Sequence, residues 1–158
     1  MIKIEVDDKA VRRALDDLSR RLDDMTPAMH AIGQALAEGS RERILDGRDW
    51  TGAAFAPNSA ATLAKKRGSK PLIDSKSLVR YRLHYEAGRD AVAVGSSAVQ
   101  SAVLQFGAKR GQFGGARRKL PWGDIPARRY LPVTEDGRLD EAARSLILET
   151  IRAHLADG

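Results

Sequence analysis

Two short runs near the middle of the chain switch between apolar and polar residues at every step, and they constrain the fold more than any other feature. Tyr81, Leu83 and Tyr85 alternate with Arg80, Arg82, His84 and Glu86, and after Gly88-Arg89-Asp90 the alternation returns at Val92 and Val94. A side-chain period of two belongs to a half-buried strand. Two such runs across a short Gly/Asp turn predict a β-hairpin over about residues 80–95.

Much of the remaining chain reads at a helical period. Val11, Leu15, Leu18, Leu22 and Met25 recur at intervals of four and three, with Arg12, Arg13, Asp16, Asp17, Arg20 and Arg21 around the rest of the wheel. Thr26-Pro27 predicts an N-cap followed by proline in the first turn, opening a second helix through Met29, Ile32, Leu36 and Ile44 to a left-handed stop at Gly47. Leu139, Ala143, Leu146, Ile147, Ile151 and Leu155 mark a closing amphipathic helix. Shorter helices are predicted at Ser59 to Lys66 and at 98–106, the latter opened by a Ser97/Gln100 capping box and ended by Gly107. Ile2, Ile4 and Val6 alternate as a further strand, and Ile125 to Val133, with two prolines, reads as an edge strand or extended segment. Trp50 and Phe55 sit in a Gly/Pro/Asn loop at 48–58, and side chains that large are expected to fold back over the core. The predicted class is α+β, an antiparallel sheet with a central hairpin packed against three main helices, in one domain spanning 1–158. A long basic loop at about 108–124 carries glycine, arginine and lysine without periodicity.

The composition narrows function mainly by exclusion. There are 158 residues and no cysteine, so disulfide frameworks, thiolate metal sites and thiol nucleophiles are out. The opening MIKIEVDD lacks the apolar core of a signal peptide, and no apolar run approaches the ~20 residues of a spanning helix, which predicts a soluble protein without a membrane partner. His30, His84 and His154 each stand alone, and there is no HExxH, no Gly-x-Ser-x-Gly and no P-loop. The pairs Asp7-Asp8, Asp16-Asp17 and Asp23-Asp24 fit ion pairing better than metal chemistry, because adjacent helical residues point about 100° apart and arginines lie three and four residues away. No catalytic residue, cofactor or metal is expected, and the protein reads as no enzyme. The net charge of +6 is uneven: residues 51–130 hold fifteen Lys/Arg against four Asp/Glu, which makes that stretch +11 and calls for an acidic partner or a solvated face.

The order of several segments resembles the phage virion morphogenesis family, the tail-completion proteins similar to the G protein of phage Mu and the S protein of phage P2. The resemblance runs through the opening MIKIEVDD and its helix, then Gly47-Arg48-Asp49-Trp50, Phe55-Ala56-Pro57-Asn58-Ser59 and Thr62-Leu63-Ala64-Lys65-Lys66. It continues through Pro71-Leu72-Ile73-Asp74-Ser75 with Leu78, similar to the family's L-I-D-T-G-x-L, then Gln105-Phe106-Gly107-Ala108 and Ile125-Pro126-Ala127-Arg128-Arg129-Tyr130-Leu131. Ser75-Lys76 stands where the family often has Thr-Gly, and Arg129-Tyr130 where it often has Pro-Phe.

The resemblance implies a non-enzymatic structural protein of the virion, assembled in the host cytoplasm, that completes the tail and joins it to the DNA-filled head at the neck. It implies self-association into rings, commonly six-fold, with other neck and tail proteins as partners and genomic DNA as a further candidate contact. The residues singled out for assembly or DNA contact are Lys109, Arg110, Arg117, Arg118, Lys119, Trp122 and Arg128. Residues 109–119 are expected to be an arm that orders against a neighbouring subunit. The alternative is a small nucleic-acid-binding module using the basic middle, although only Phe113 and Trp122 are at hand as stacking platforms. A third reading is a small toxin-like nuclease.

Overall fold

A computed structural model describes residues 9–74, 82–112 and 123–156. The predicted strand at 2–6, Tyr81, and Phe113 with the other residues of the basic loop from 113 to 122 lie outside the described residues. In chain order the elements are α1 (Lys9–Asp23), α2 (Thr26–Asp46), α3 (Ala60–Lys65), β1 (Leu83–Ala87), β2 (Val92–Ser96), α4 (Ser101–Phe106) and α5 (Glu141–Ala156). The architecture is α+β, with β1 and β2 paired antiparallel from Leu83↔Ser96 to Ala87↔Val92.

Helix α2 is the spine. Its buried face runs through Ala28, Ile32, Gly33, Leu36, Ala37, Ser40 and Ile44, so large side chains alternate with small ones and neighbours approach closely. The Tyr85 ring of β1 lies on Gly33, where a Cβ would collide with it, and the Trp50 indole lies on Gly39 in the same way. The helix ends as predicted at Gly47, whose φ of 73° is left-handed and whose N–H donates to Arg43 O.

Two apolar clusters sit along this spine. One joins Ile44 to Phe55, Leu83, Ala98 and Tyr130, with Leu72, Ile73, Leu104 and Leu131 packed around them. The other joins Ile32 and Leu36 to Trp50 and Ala143, with Val92, Val94, Leu146, Ile147 and Ile151. Both loop aromatics are therefore buried, and the Trp50 indole N–H donates to Tyr130 O at 3.0 Å.

Three expectations need correction. Thr26 is not the N-cap of α2. It is already in the helix, Met25 is the cap, and Asp24 supplies the oxygen, accepting from Thr26 N–H at 3.0 Å. That hydrogen bond holds the Asp24 carboxyl below the usual carboxylate range. Ser97 does not open α4 either. Ser96 Oγ accepts from Ala98 N–H, Ala98 turns into the core, and the helix starts at Ser101 with no side-chain cap. The segment from Ile125 to Val133 pairs only through isolated bridges, Ala108↔Ile125 and Val133↔Leu139. Pro126 and Pro132 have no N–H, and side chains occupy its carbonyls.

Helix α1 departs furthest from its sequence. It holds no buried residue: Val11 and Leu15 are each 60% exposed, Leu22 55% and Leu18 38%. Its ties to the rest are polar and gather at its C-terminal end. Arg21 donates to the carbonyls of His154 and Leu155 in α5, and Arg89 in the hairpin turn donates to Asp23 O. These are cations on helix-terminal carbonyls, where the macrodipole favours them.

Candidate assembly surface

The segment 125–133 is held between α4 and the 48–58 loop. Arg128 N–H donates to Leu104 O at 2.7 Å, and the fully buried Tyr130 shares a 2.7 Å hydrogen bond between its hydroxyl and Ser101 Oγ. Gln105 takes the part of a neighbouring strand. Its buried amide accepts from Leu131 N–H at 3.0 Å and donates to the carbonyls of Leu131 and Val133 at 3.3 and 3.2 Å. With donors and acceptors matched, burying this polar side chain carries no desolvation penalty left uncompensated.

Arg128 belongs to the same framework. It is 7% exposed, and its Nε and one Nη donate to the carbonyls of Ala56 and Pro57 at 2.8 and 2.9 Å. Burial lowers its pKa from the ordinary arginine value. A guanidinium committed to two internal carbonyls is a brace for the 48–58 loop, and in the free subunit it presents little charge to a partner.

Just ahead of this framework lies the base of the basic loop. Gly107 ends α4 at φ 74°, and a Cβ there would lie 2.7 Å from Ile125 O and 2.9 Å from Ala127 N, so only glycine fits. Ala108 and Ile125 then exchange two backbone hydrogen bonds of 2.9 and 2.7 Å. Asp124 clamps the two sides together. One carboxylate oxygen accepts from Arg110 N–H at 2.9 Å and the other from Lys109 Nζ at 3.1 Å. The Arg110 hydrogen bond, followed by the Lys109 ammonium, holds the Asp124 carboxyl below its usual range. Gln112 closes the turn by accepting from Lys109 N–H at 2.8 Å. Lys109 and Arg110 therefore stand on a defined stem and remain open to solvent. Arg117, Arg118, Lys119 and Trp122 lie outside the described residues.

Nothing in the described part gathers catalytic groups. A cleft of about 80 Å³ beside Trp50, Arg129, Glu135 and Asp140 has room for a few waters. Arg129 is paired there with Glu135 at 2.6 Å. His30 packs edge-on against Tyr85, and His84 and His154 lie elsewhere. Among the described residues no three His, Asp or Glu side chains come together as metal ligands, and no helix is long and apolar enough to cross a membrane.

What sequence reasoning missed is apolar. Besides α1, the turn into α4 exposes Val99 at 99% and α4 itself exposes Phe106 at 56%, with Ala102 between them on the same side. The signal was present in the spacing of 99, 102 and 106, hidden by the assumption that a periodic face points inward.

The model of the phage virion morphogenesis family matches residues 6–156. No curated protein and no solved structure matches the chain. The family match takes in every element described above, from α1 to α5, and includes the stem and the brace. The chain belongs to the phage virion morphogenesis family, and its role is that of a structural protein in building the virion.

Proposed function

We propose that this protein completes the phage tail and joins it to the filled head, acting at the neck as a ring of identical subunits together with other neck and tail proteins. The family match over nearly the whole chain carries the reading. Its chemistry is consistent with a docking component: polar groups in the framework are satisfied internally, while the stem tethers a segment whose sequence holds Arg117, Arg118 and Lys119. The imbalance of fifteen basic to four acidic residues across 51–130 favours a second reading, a contact with genomic DNA.

One variant addresses both. Reversing Arg117, Arg118 and Lys119 to glutamate turns attraction into repulsion at any acidic partner. The variant is expected to fold and, in a complementation assay, to leave filled heads and finished tails unjoined. If the wild-type subunit also binds DNA weakly at physiological salt, the segment docks onto protein. Tight, steeply salt-dependent DNA binding by the wild-type monomer, lost in the variant, favours the nucleic-acid reading. Normal joining by the folded variant rejects both roles for these three residues.

A further inference from the structure

The subunit has two exposed apolar surfaces, and they lie at opposite ends. The hairpin fixes their positions. Its turn, through Arg89, holds the last carbonyl of α1, while its open end at Leu83↔Ser96 leads through Ala98 into α4. Helix α2 runs the same way, joined to α1 at its N-terminus and reaching the Ile44 cluster, on which α4 packs, near its C-terminus. At 1.5 Å per residue, the stretch from Thr26 to Ile44 puts roughly 25–30 Å between the two ends.

We infer that these ends are the two halves of one contact between copies of this chain, with the α1 stripe of one subunit covering the α4 edge of the next. This inference rests on the ring reading above and names its interface. Val11, Leu15, Leu18 and Leu22 present on the order of a few hundred Å² of apolar surface, the size at which a patch on a monomer marks an interaction site. Pairing α1 with α1 across a two-fold axis would close a dimer and leave Val99 and Phe106 bare. Unlike patches at opposite ends instead make a heterologous contact, which repeats around an axis and closes into a ring. A standard contact covers roughly 800 Å² on each partner, so the charged flanks of α1 complete what the stripe begins. Those flanks carry both signs and leave α1 near neutral, so no field opposes the approach.

The chain has no cysteine, so introduced thiols report without background. Leu18→Cys and Phe106→Cys, at exposed positions, are placed in one chain and treated with a bis-maleimide cross-linker at assembly concentration. The expected result is a ladder of dimers, trimers and higher bands. Either single variant stays monomeric on a denaturing gel, and a mixture of the two single variants gives dimers only. A dimer from Leu18→Cys alone would mean a two-fold contact and overturn the inference. So would a double variant that cross-links no more than Leu63→Cys, an exposed control elsewhere on the surface. Deleting the gene separates this inference from the neck role. Unjoined heads and tails without the ladder mean the interface is wrong and the neck role stands, whereas joined particles reject the neck role whatever the gel shows.

Discussion

In α1 the residues Val11, Leu15, Leu18 and Leu22 recur at helical spacing and each is open to solvent, whereas Ile32, Leu36 and Ile44 recur in α2 and are buried. The difference lies between the large residues. Along α2 the buried face is interrupted by Ala28, Gly33, Ala37 and Ser40, and Gly39 admits Trp50, so hairpin, indole and α5 approach it from several sides. Along α1 the stripe is bordered by arginine and aspartate, which keep their charges in water and restrict contact to a single neighbour. Within the subunit α5 meets only its end. Periodicity therefore says that a face needs covering, and the residues between the stripes say how many neighbours can do it.

The comparison is sharpest where it predicts unequal costs. Trp50→Ala removes an indole packed on Gly39 and leaves Tyr130 O without its donor, and a loss of about 3–5 kcal/mol is expected in denaturant unfolding. Ile32→Ala on α2 is expected to cost about 2–5 kcal/mol by the same route. If both variants unfold like the wild type, α2 is not the spine.

Gln105→Leu conserves bulk but strips the Leu131 N–H of its acceptor, and about 1–3 kcal/mol should be lost for a buried group left unpaired. Leu18→Ser on α1, by contrast, is expected to stay within about 0.5 kcal/mol of the wild type, as surface changes do. A loss as large as that of Ile32→Ala would mean that α1 belongs to the subunit core.

The smallest effect concerns the stem. The Asp124 pKa is depressed on folding, so its contribution is present at neutral pH, above the unfolded value of about 3.9. It is lost only as pH falls through the lower folded value. Its carboxyl should titrate below that of Asp136 in an NMR experiment, and Lys109→Ala should raise it part of the way back. An Asp124 midpoint at or above the ordinary value would mean the clamp is not closed in solution.

These costs also mark what could be seen in the sequence. The hairpin, α2, α5 and the inward fold of Trp50 and Phe55 were legible because alternation, helical spacing and the Gly47 stop act over a few residues. Gln105 was not, since nothing in its neighbours shows that its amide will meet the backbone of Leu131 and Val133, some 26 residues on. Arg128 read as a surface cation for the same reason, because its carbonyl partners at Ala56 and Pro57 lie some 70 residues earlier. The capping box at Ser97 failed because burying Ala98 required the chain to turn before the helix began. The candidate site was legible as a basic loop with Lys109 and Arg110 at its base. Asp124, the acid that organises that base, was overlooked because its role depends on a partner across the loop.

The central claim is that the α1 stripe is bare in the free subunit and covered in the assembly. Thiol labelling of Leu18→Cys tests it most directly, comparing the purified subunit with finished virions carrying the same variant. The account predicts labelling near the rate of a free thiol in the subunit and strong protection in the virion. Slow labelling in the subunit, or equal labelling in both, would contradict it.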